Sequence, residues 1–219
     1  MTAKPAFEVQ SLVTDAALVQ KRRAQIIAAA VDLFAHQGYF KTTIQDVAKK
    51  AGVSAGLIYQ YVRDKEDVLL LSVLDVLESY KQEIPAATAG LTDPLERFRA
   101  AIYAYCKVVD QRREATVLAY RSTKSLSAER RQLIMASEIE TNAMIAQCLK
   151  DGIEAGLFRD VDVELVTYHF VALAHNWALK HWRLKQLTDF ERYVREGFDF
   201  LLNGLLTDKG WKHYKKMKK

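Results

Sequence analysis

The stretch "TTIQDVAKKAGVSAGLIYQY" (Thr42 to Tyr61) decides the fold. Thr43, with Asp46 three residues later, has the pattern of a capping box, which predicts that a helix begins there. Gly52 marks a tight turn, and Ser54 is a natural N-cap for the helix that follows. Two short helices joined by a turn of about three or four residues that contains glycine predict a helix-turn-helix.

The second of these helices has an unusually bare outer face. Helical spacing turns Leu57, Ile58 and Tyr61 towards the preceding helices. The opposite face consists of Ala55, Gly56, Tyr59 and Gln60. Glycine destabilises a helix by about 1 kcal/mol relative to alanine, which is explained if the backbone at Gly56 must approach DNA closely. The alternative is a neutral surface glycine.

The segments before and after the helix-turn-helix carry positive charges at positions that would suit a contact with a DNA phosphate. "KRRAQIIAAAVDLFAHQGY" (Lys21 to Tyr39) is an amphipathic helix, and its three opening cations oppose the helix dipole. Asp64 is predicted to cap a long helix over about residues 64–84. Lys65 then lies at the first helical position, where the free backbone amides of a helix attract anions.

Composition and periodicity predict an all-α protein. Among 219 residues only three are proline, and apolar residues recur with helical spacing almost everywhere. The sequence contains no apolar run of the length of about 18 residues that a membrane span needs, and no signal-peptide pattern. Cys106 and Cys148 lie in helical patterns and are predicted to be buried thiols of a cytoplasmic protein.

The net charge of +5 is unevenly distributed. Residues 1–65 carry nine Lys/Arg against five Asp/Glu, whereas residues 66–208 carry seventeen against twenty-two. The last eleven residues, "KGWKHYKKMKK", hold six lysines and no acid. The basic front half favours a nucleic-acid partner. The tail has two interpretations: a solvated, disordered end, or a segment that attracts phosphates non-specifically.

The stretch from Thr42 to Leu69, preceded by "LFAHQGY", resembles the DNA-binding domain of the TetR/AcrR family of bacterial regulators. The resemblance rests on the threonine before the second helix, the Ala-Gly-Val-Ser turn, the Gly-x-x-Tyr of the third helix and the Lys-Glu pair that opens the fourth. It implies a three-helix helix-turn-helix domain and a larger helical domain, with about nine helices in total.

The same resemblance implies a function and a set of DNA contacts. Such proteins usually repress transcription as dimers on a palindromic operator, pair through their last two helices and respond to a small-molecule effector. The predicted DNA-binding residues are Thr42, Thr43, Ser54, Ala55, Gly56, Tyr59, Gln60 and Lys65. Gln60 is a candidate for adenine recognition in the major groove, and Tyr59 and Lys65 are predicted phosphate contacts.

The predicted organisation has four parts. Residues 1–19 form a flexible arm, 20–66 the DNA-binding domain, 67–206 an effector-binding and dimerisation domain, and 207–219 the basic tail. "EIPAATAGLTDP" (Glu83 to Pro94) is the clearest linker, because it contains two prolines, a glycine and small residues.

The second domain suggests a hydrophobic effector. "LVTYHFVALAHNWALKHWRLK" (Leu165 to Lys185) is apolar on nearly every face, which predicts a helix that is buried all round. Together with "YRSTKSL" (Tyr120 to Leu126), it resembles the branch of the family that senses fatty acyl-CoA and related CoA thioesters. The candidate pocket residues are Tyr103, Tyr120, Arg121, His169, Phe170, Asn176 and Trp177. Core packing, or surface charge for Arg121, is the alternative for each.

Enzymatic and metal sites are not predicted. His169 and His175 are six residues apart on a predicted helix and therefore point in different directions. No His-Glu-x-x-His or Cys-x-x-Cys motif occurs, and no nucleophile–base pair is recognisable. We therefore expect no cofactor, no metal and no enzyme activity. The alternative to an effector-controlled repressor is a DNA-binding protein of chromosome organisation that needs no effector.

Overall fold

The computed structural model describes residues 9–217, and their regular secondary structure is helical. The α-helices are α1 (Ala16–Gln37), α2 (Ile44–Ala51), α3 (Ala55–Ile58), α4 (Lys65–Thr88), α5 (Pro94–Gln111), α6 (Arg113–Ser122), α7 (Ala128–Glu154), α8 (Val163–Leu179), α9 (His181–Leu187), α10 (Phe190–Leu205) and α11 (Asp208–Met217). A short 3₁₀ helix covers Thr123–Ser125. The all-α prediction is confirmed.

The helix caps follow the local sequence signals. The Thr43 side chain accepts the backbone N–H of Asp46 at 3.1 Å, and the Asp46 carboxylate accepts that of Thr43 at 2.9 Å. Gly52 ends α2 in the left-handed region, with φ 69°, where glycine has no Cβ to clash. The Ser54 hydroxyl oxygen accepts the Leu57 N–H at 3.1 Å. The predicted helix-turn-helix is therefore formed with its predicted caps.

The start of α1 differs from the prediction. Asp15 caps the helix, which begins at Ala16, so Lys21 and its two neighbouring arginines lie beyond the first turn. This earlier start removes the conflict with the helix dipole, which is confined to the first turn. Residues 16–19 of the predicted arm are thus helical, and its residues 1–8 lie outside the described part of the chain.

The end of α4 also lies beyond its predicted position. The helix continues through Pro85 to Thr88, so the predicted linker begins only after that residue. Ile84 is buried and anchors this turn to the core. The Thr88 hydroxyl donates to the Ile84 carbonyl at 3.0 Å, which gives this carbonyl a partner near the proline.

The described residues fall into two compact units. The first unit comprises the chain up to Leu77 together with Glu114–Ser137, and the second comprises Glu78–Arg113 and the chain from Glu138 onwards. In the first unit α2 packs on α1 and α3. Its fully buried residues include Ala30, Val47, Ile58, Val68, Leu69 and Leu70. This core supports the helix-turn-helix from behind.

The core of the second unit is aromatic. The Phe98 ring on α5 lies 4.9 Å from Phe170 on α8 and 5.8 Å from Phe198 on α10, measured between ring centroids. Tyr80 and Tyr105 stack at 4.0 Å, and the Tyr105 hydroxyl lies 3.1 Å from His175 Nε2. Burial lowers the pKa of His175 to about 4, so this imidazole is neutral near pH 7.

The basic tail is helical and packed over residues 208–217, contrary to the interpretation of a disordered end. Tyr214 and Gly210 of α11 are buried, and a side chain at Gly210 would collide with the Leu157 carbonyl oxygen. The Lys209 ammonium donates to the Ala155 carbonyl at 2.7 Å. Apolar residues on one face of α11 outweigh its lysines, which stay on the other face. The last two lysines lie outside the described residues.

Within residues 9–217, no helix combines the length and the apolar character that crossing a membrane would require.

Candidate nucleic-acid interface

Helix α3, the predicted recognition helix, presents a small, polar outer face. Ile58 and Tyr61 are buried against the first unit, whereas Gly56 and Gln60 are exposed and Tyr59 is 47% exposed. Ser54 at the cap is exposed and Ala55 is half-buried. The structure therefore brings five predicted DNA contacts, Ser54, Ala55, Gly56, Tyr59 and Gln60, together at one short helix and its cap.

Gly56 has open space around it. A Cβ added there would meet only the Ser54 hydroxyl oxygen, at 3.9 Å. Its backbone conformation is not in the left-handed region either. Neither the packing nor the backbone of the protein therefore requires glycine at this position, which fits a requirement set by a bound partner.

The C-terminal end of α3 is held by residues that precede α1. The Gln60 carbonyl accepts the Leu12 N–H at 2.8 Å and the Ser11 hydroxyl at 3.1 Å. The Arg23 guanidinium donates to the Tyr61 carbonyl at 3.0 Å and to the Val9 carbonyl at 2.6 Å. Sequence reasoning missed this anchor because the segment was predicted to be a flexible arm.

The two threonines before α2 have different environments. Thr43 is exposed, and its hydroxyl donates to Asp46 at 2.7 Å. Thr42 is fully buried, and both its hydroxyl and its N–H donate to the Gly38 carbonyl, at 3.0 and 3.3 Å. The polar groups of Thr42 thus hold the α1–α2 turn, and its DNA contact stays a prediction.

Lys65 is also committed to the protein itself. Its ammonium donates to the carbonyls of Tyr39 at 2.9 Å and Thr42 at 3.0 Å, and more weakly to that of Phe40 at 3.4 Å. It lies 4.5 Å from the centroid of the Tyr39 ring, within the range of a cation–π contact. An ammonium has three donors, and in this structure those of Lys65 tie α4 to the α1–α2 turn; its phosphate contact stays a prediction.

A buried ionic cluster fixes the first turn of α4. Arg130, which is 8% exposed, donates to Asp64 at 2.8 Å, to Glu66 at 2.9 Å and to Asp67 at 2.7 Å. Asp67 is fully buried and also accepts from Arg63 at 3.1 Å. Burial alone would raise the pKa of Asp67, but the hydrogen bonds from Arg63 and Arg130 outweigh it and lower the pKa below its usual value.

The seven predicted effector residues differ widely in exposure. Phe170 and Trp177 are core residues, and the Trp177 indole donates to Asp110 at 2.7 Å. Tyr103 is partly exposed and its hydroxyl donates to Glu191 at 2.7 Å. The other four, Tyr120, Arg121, His169 and Asn176, are exposed. The prediction gathered aromatic and polar residue types but had no information on which faces of the helices turn inward.

An unsatisfied amide on α7 was missed by the sequence reasoning. Asn142 is 5% exposed, and neither atom of its amide has a hydrogen-bond partner among the described residues. Glu138, one turn earlier, has its pKa raised by burial. Ile145 and Leu149 continue the same inward face and are fully buried. Buried polar groups normally bond to protein or to ordered water, so the Asn142 amide requires a water or a bound molecule as its partner.

Apolar side chains are exposed on α8 and α10. Leu165 is 57% exposed, Tyr168 is 39% exposed, and Phe200 is 78% exposed. The α8 segment, predicted to be buried all round by a pocket, its own core and a dimer partner together, is thus not fully covered by its own chain. Gly197 brings α10 close to α8, because a Cβ there would lie 2.6 Å from Leu173. The two helices thus pack on each other, and each carries exposed apolar side chains.

Comparison with known proteins gives two matching families. The family described as bacterial regulatory proteins, tetR family, matches residues 26–71, and the tetracyclin repressor-like, C-terminal domain family matches residues 91–183.

The HTH-type transcriptional regulator HbdR of Aromatoleum sp. (strain CIB) is 50% identical over 210 residues, which cover 96% of this chain and 92% of the relative. The HTH-type transcriptional repressor KstR2 of Mycobacterium tuberculosis (strain ATCC 25618 / H37Rv) is 31% identical over 169 residues, covering 75% and 82%. The crystal structure of a TetR family transcriptional regulator, PfmR from Thermus thermophilus, matches with a TM-score of 0.72 and 28% identity over 83% of this chain and 99% of that one.

Proposed function

The chain belongs to the TetR family of bacterial transcriptional regulators, and we propose that it represses transcription by binding a palindromic operator as a dimer, from which a hydrophobic small molecule releases it. As a member of this family it is a DNA-binding regulator and not an enzyme. Repression is supported by the relative KstR2, which is named a repressor.

The exposed face of α3 is the observation that carries the proposal. In helix-turn-helix proteins the N-terminal residues of the recognition helix contact base edges in the major groove. Ser54 and Gly56 lie at that end, and Gln60 has the amide that can pair with both polar groups of an adenine edge. Tyr59, with its hydroxyl at the rim of this face, is suited to a phosphate.

A dimer would bury the apolar side of α8 and α10. Leu165 and Tyr168 on α8 and Phe200 on α10 supply the large exposed side chains. A two-fold axis through this surface would place the same residues of both chains in contact, as in other isologous dimers. Two copies of α3 would then read half-sites about 34–36 Å apart, which is one turn of DNA, or a multiple of it.

The effector is proposed to contact the inward face of α7. Ile145 and Leu149 suit an apolar body, and the Asn142 amide requires a polar group within it. A fatty acyl-CoA or related CoA thioester remains a candidate, because the thioester carbonyl could accept from the amide of Asn142. A hydrocarbon without any hydrogen-bonding group would leave Asn142 unsatisfied, so we expect such a molecule to be a poor effector.

Fluorescence anisotropy with labelled duplexes tests the DNA-binding part. Duplexes from the protein's own promoter and of scrambled sequence are titrated at one fixed salt concentration. We expect Gln60→Ala to weaken operator binding by about 1–3 kcal/mol, or roughly 5- to 150-fold, while scrambled DNA binds as before. Tyr59→Phe removes one hydroxyl and should weaken binding to both the operator and the scrambled duplex.

The matched control is Gln132→Ala, at an exposed glutamine on α7. It should bind both duplexes like the parent protein. If Gln60→Ala retains parental affinity for the operator, α3 is not the reading element. Equal affinity of the parent for operator and scrambled DNA would instead favour a chromosome-organising protein.

A further inference from the structure

A groove in the second unit lies between α5 and α10. Its volume is about 500 Å³, which lies within the range of about 300–1,000 Å³ typical of small-molecule sites. Its walls include Glu96, Arg99 and Tyr103 of α5 and Glu191, Arg195 and Phe198 of α10. None of these residues belongs to α7, so the groove is separate from the effector contact proposed at Asn142.

The two helices run antiparallel along the groove. The Tyr103 hydroxyl of α5 donates to Glu191 of α10 at 2.7 Å. Further along, the ring centroids of Phe98 and Phe198 lie 5.8 Å apart, which fixes the direction of the pairing. One helical turn separates Tyr103 from the preceding Arg99, and one turn separates Glu191 from the following Arg195. The two arginines therefore lie on opposite walls of the groove, on the same helix faces as Tyr103 and Glu191.

The two arginines of the groove differ from others on the same helices. Neither Arg99 nor Arg195 forms an ion pair with any residue that the structure describes. Other arginines of the same two helices do: Arg97 pairs with Asp151 at 2.8 Å, and Arg192 pairs with Glu196 at 2.7 Å.

The carboxylates of the groove already have partners or a favourable position. Glu191 accepts the Tyr103 hydroxyl. Glu96 lies in the first turn of α5, where the helix dipole stabilises a negative charge. The groove thus holds two cations and two anions, and its guanidinium groups form no ion pair within the described residues.

We propose that this groove binds an amphipathic anion, with a carboxylate or phosphate head held between Arg99 and Arg195 and an apolar body against α10. Guanidinium groups hold such heads through paired, charge-assisted hydrogen bonds. Val194 and Phe198 are buried beneath the groove and Met217 closes one end, so the floor is apolar. A ligand with either part alone would use only half of the site.

Calorimetric titration of the full chain with octanoate, monooctyl phosphate and octan-1-ol tests this site. The three probes share one chain and differ in the head group. We expect octanoate or monooctyl phosphate to bind at least tenfold more tightly than octan-1-ol, and comparing the two anions tells a carboxylate ligand from a phosphate ester. The double variant Arg99→Gln/Arg195→Gln should lose at least tenfold in affinity for the anion. Arg192→Gln, whose arginine is already paired on the same helix, should bind like the parent.

Carbon-13 labelling of the methionine methyl groups locates the ligand, because Met217 lines the groove. Among the four methionines of the chain, the Met217 methyl resonance should shift with the anion. The proposal is overturned if that resonance stays in place at saturation, if the double variant binds the anions as the parent does, or if octan-1-ol binds equally well. Operator binding is measured separately, so failure here leaves the assignment of α3 unaffected.

Discussion

Replacing Arg130 by methionine should destabilise the first unit strongly. Methionine keeps the length and apolar stem of the side chain but removes the guanidinium that bonds Asp67 at 2.7 Å. Asp67 would remain fully buried with Arg63 as its remaining guanidinium partner. Removing one member of a buried ion pair costs about 3–5 kcal/mol, and Arg63, whose side chain is 45% exposed, compensates the buried charge of Asp67 only partly. Asp64 and Glu66 are partly exposed, so the loss of their pairs adds little.

The expected fall in the midpoint of thermal unfolding follows from this energy. For a chain of 150–250 residues, about 1 kcal/mol shifts Tm by roughly 2–4 °C, so the variant should unfold roughly 6–20 °C below the parent. Circular dichroism melts at pH 7 measure this shift. The double variant Arg130→Met/Asp67→Asn should recover at least half of the loss, because no buried charge remains. A single variant that melts within 2 °C of the parent would refute the reasoning.

The pH dependence gives an independent check. In the parent, the pKa of Asp67 is lowered, since the hydrogen bonds from Arg63 and Arg130 outweigh the effect of burial. A lowered pKa contributes stability that is present above the unfolded pKa of about 3.9 and is lost as the pH falls through the folded value. Without Arg130 the pKa of Asp67 rises. The difference in Tm between parent and variant should therefore be largest near pH 7 and shrink towards pH 4, and a constant difference would contradict this account.

Four further substitutions test single features. Lys65→Met should lower both Tm and operator affinity. The slope of the logarithm of the operator binding constant against the logarithm of salt concentration should stay as in the parent. A slope smaller in magnitude by about one would show that Lys65 contacts a phosphate. Gly56→Ala should leave Tm unchanged or raise stability by at most roughly 1 kcal/mol, yet weaken operator binding at least tenfold in anisotropy. Phe200→Glu should convert a dimer into a monomer in sedimentation velocity, and a persisting dimer would place the interface elsewhere. Asn142→Leu should raise the Tm of the effector-free protein, because an unsatisfied amide is removed; a lower Tm would show that the amide has a partner in solution.

Local signals accounted for the helix-turn-helix. The caps at Thr43, Ser54 and Asp64 depend on residues within three or four positions, so the sequence alone was enough to locate them. The buried face of α3 followed from helical periodicity for the same reason. These signals also placed five of the predicted DNA contacts on or beside α3.

Long-range contacts were beyond such reasoning. Arg130 and Asp67 are far apart in sequence, and no local sequence pattern around either residue predicts their ion pair. Lys65 and Thr42 both donate hydrogen bonds to backbone carbonyls of the α1–α2 turn. These bonds could not be predicted, because no sequence pattern gives the path of that turn. The fold of α11 was missed because its lysines dominated the interpretation, although Trp211, Tyr214 and Met217 repeat at three-residue intervals along one side.

The anchoring of Gln60 by the residues before α1 has a practical side. The Leu12 N–H and the Ser11 hydroxyl both donate to the Gln60 carbonyl. Arg23 donates to the carbonyls of both Val9 and Tyr61 and so links the N-terminal segment to the end of α3. A protein shortened to begin at α1 would lose these bonds even though its helices stayed intact. Affinities measured on such a shortened protein, or on one with a bulky purification tag fused close to Val9, would report on a loosened recognition helix and understate how tightly the intact chain discriminates among DNA sequences.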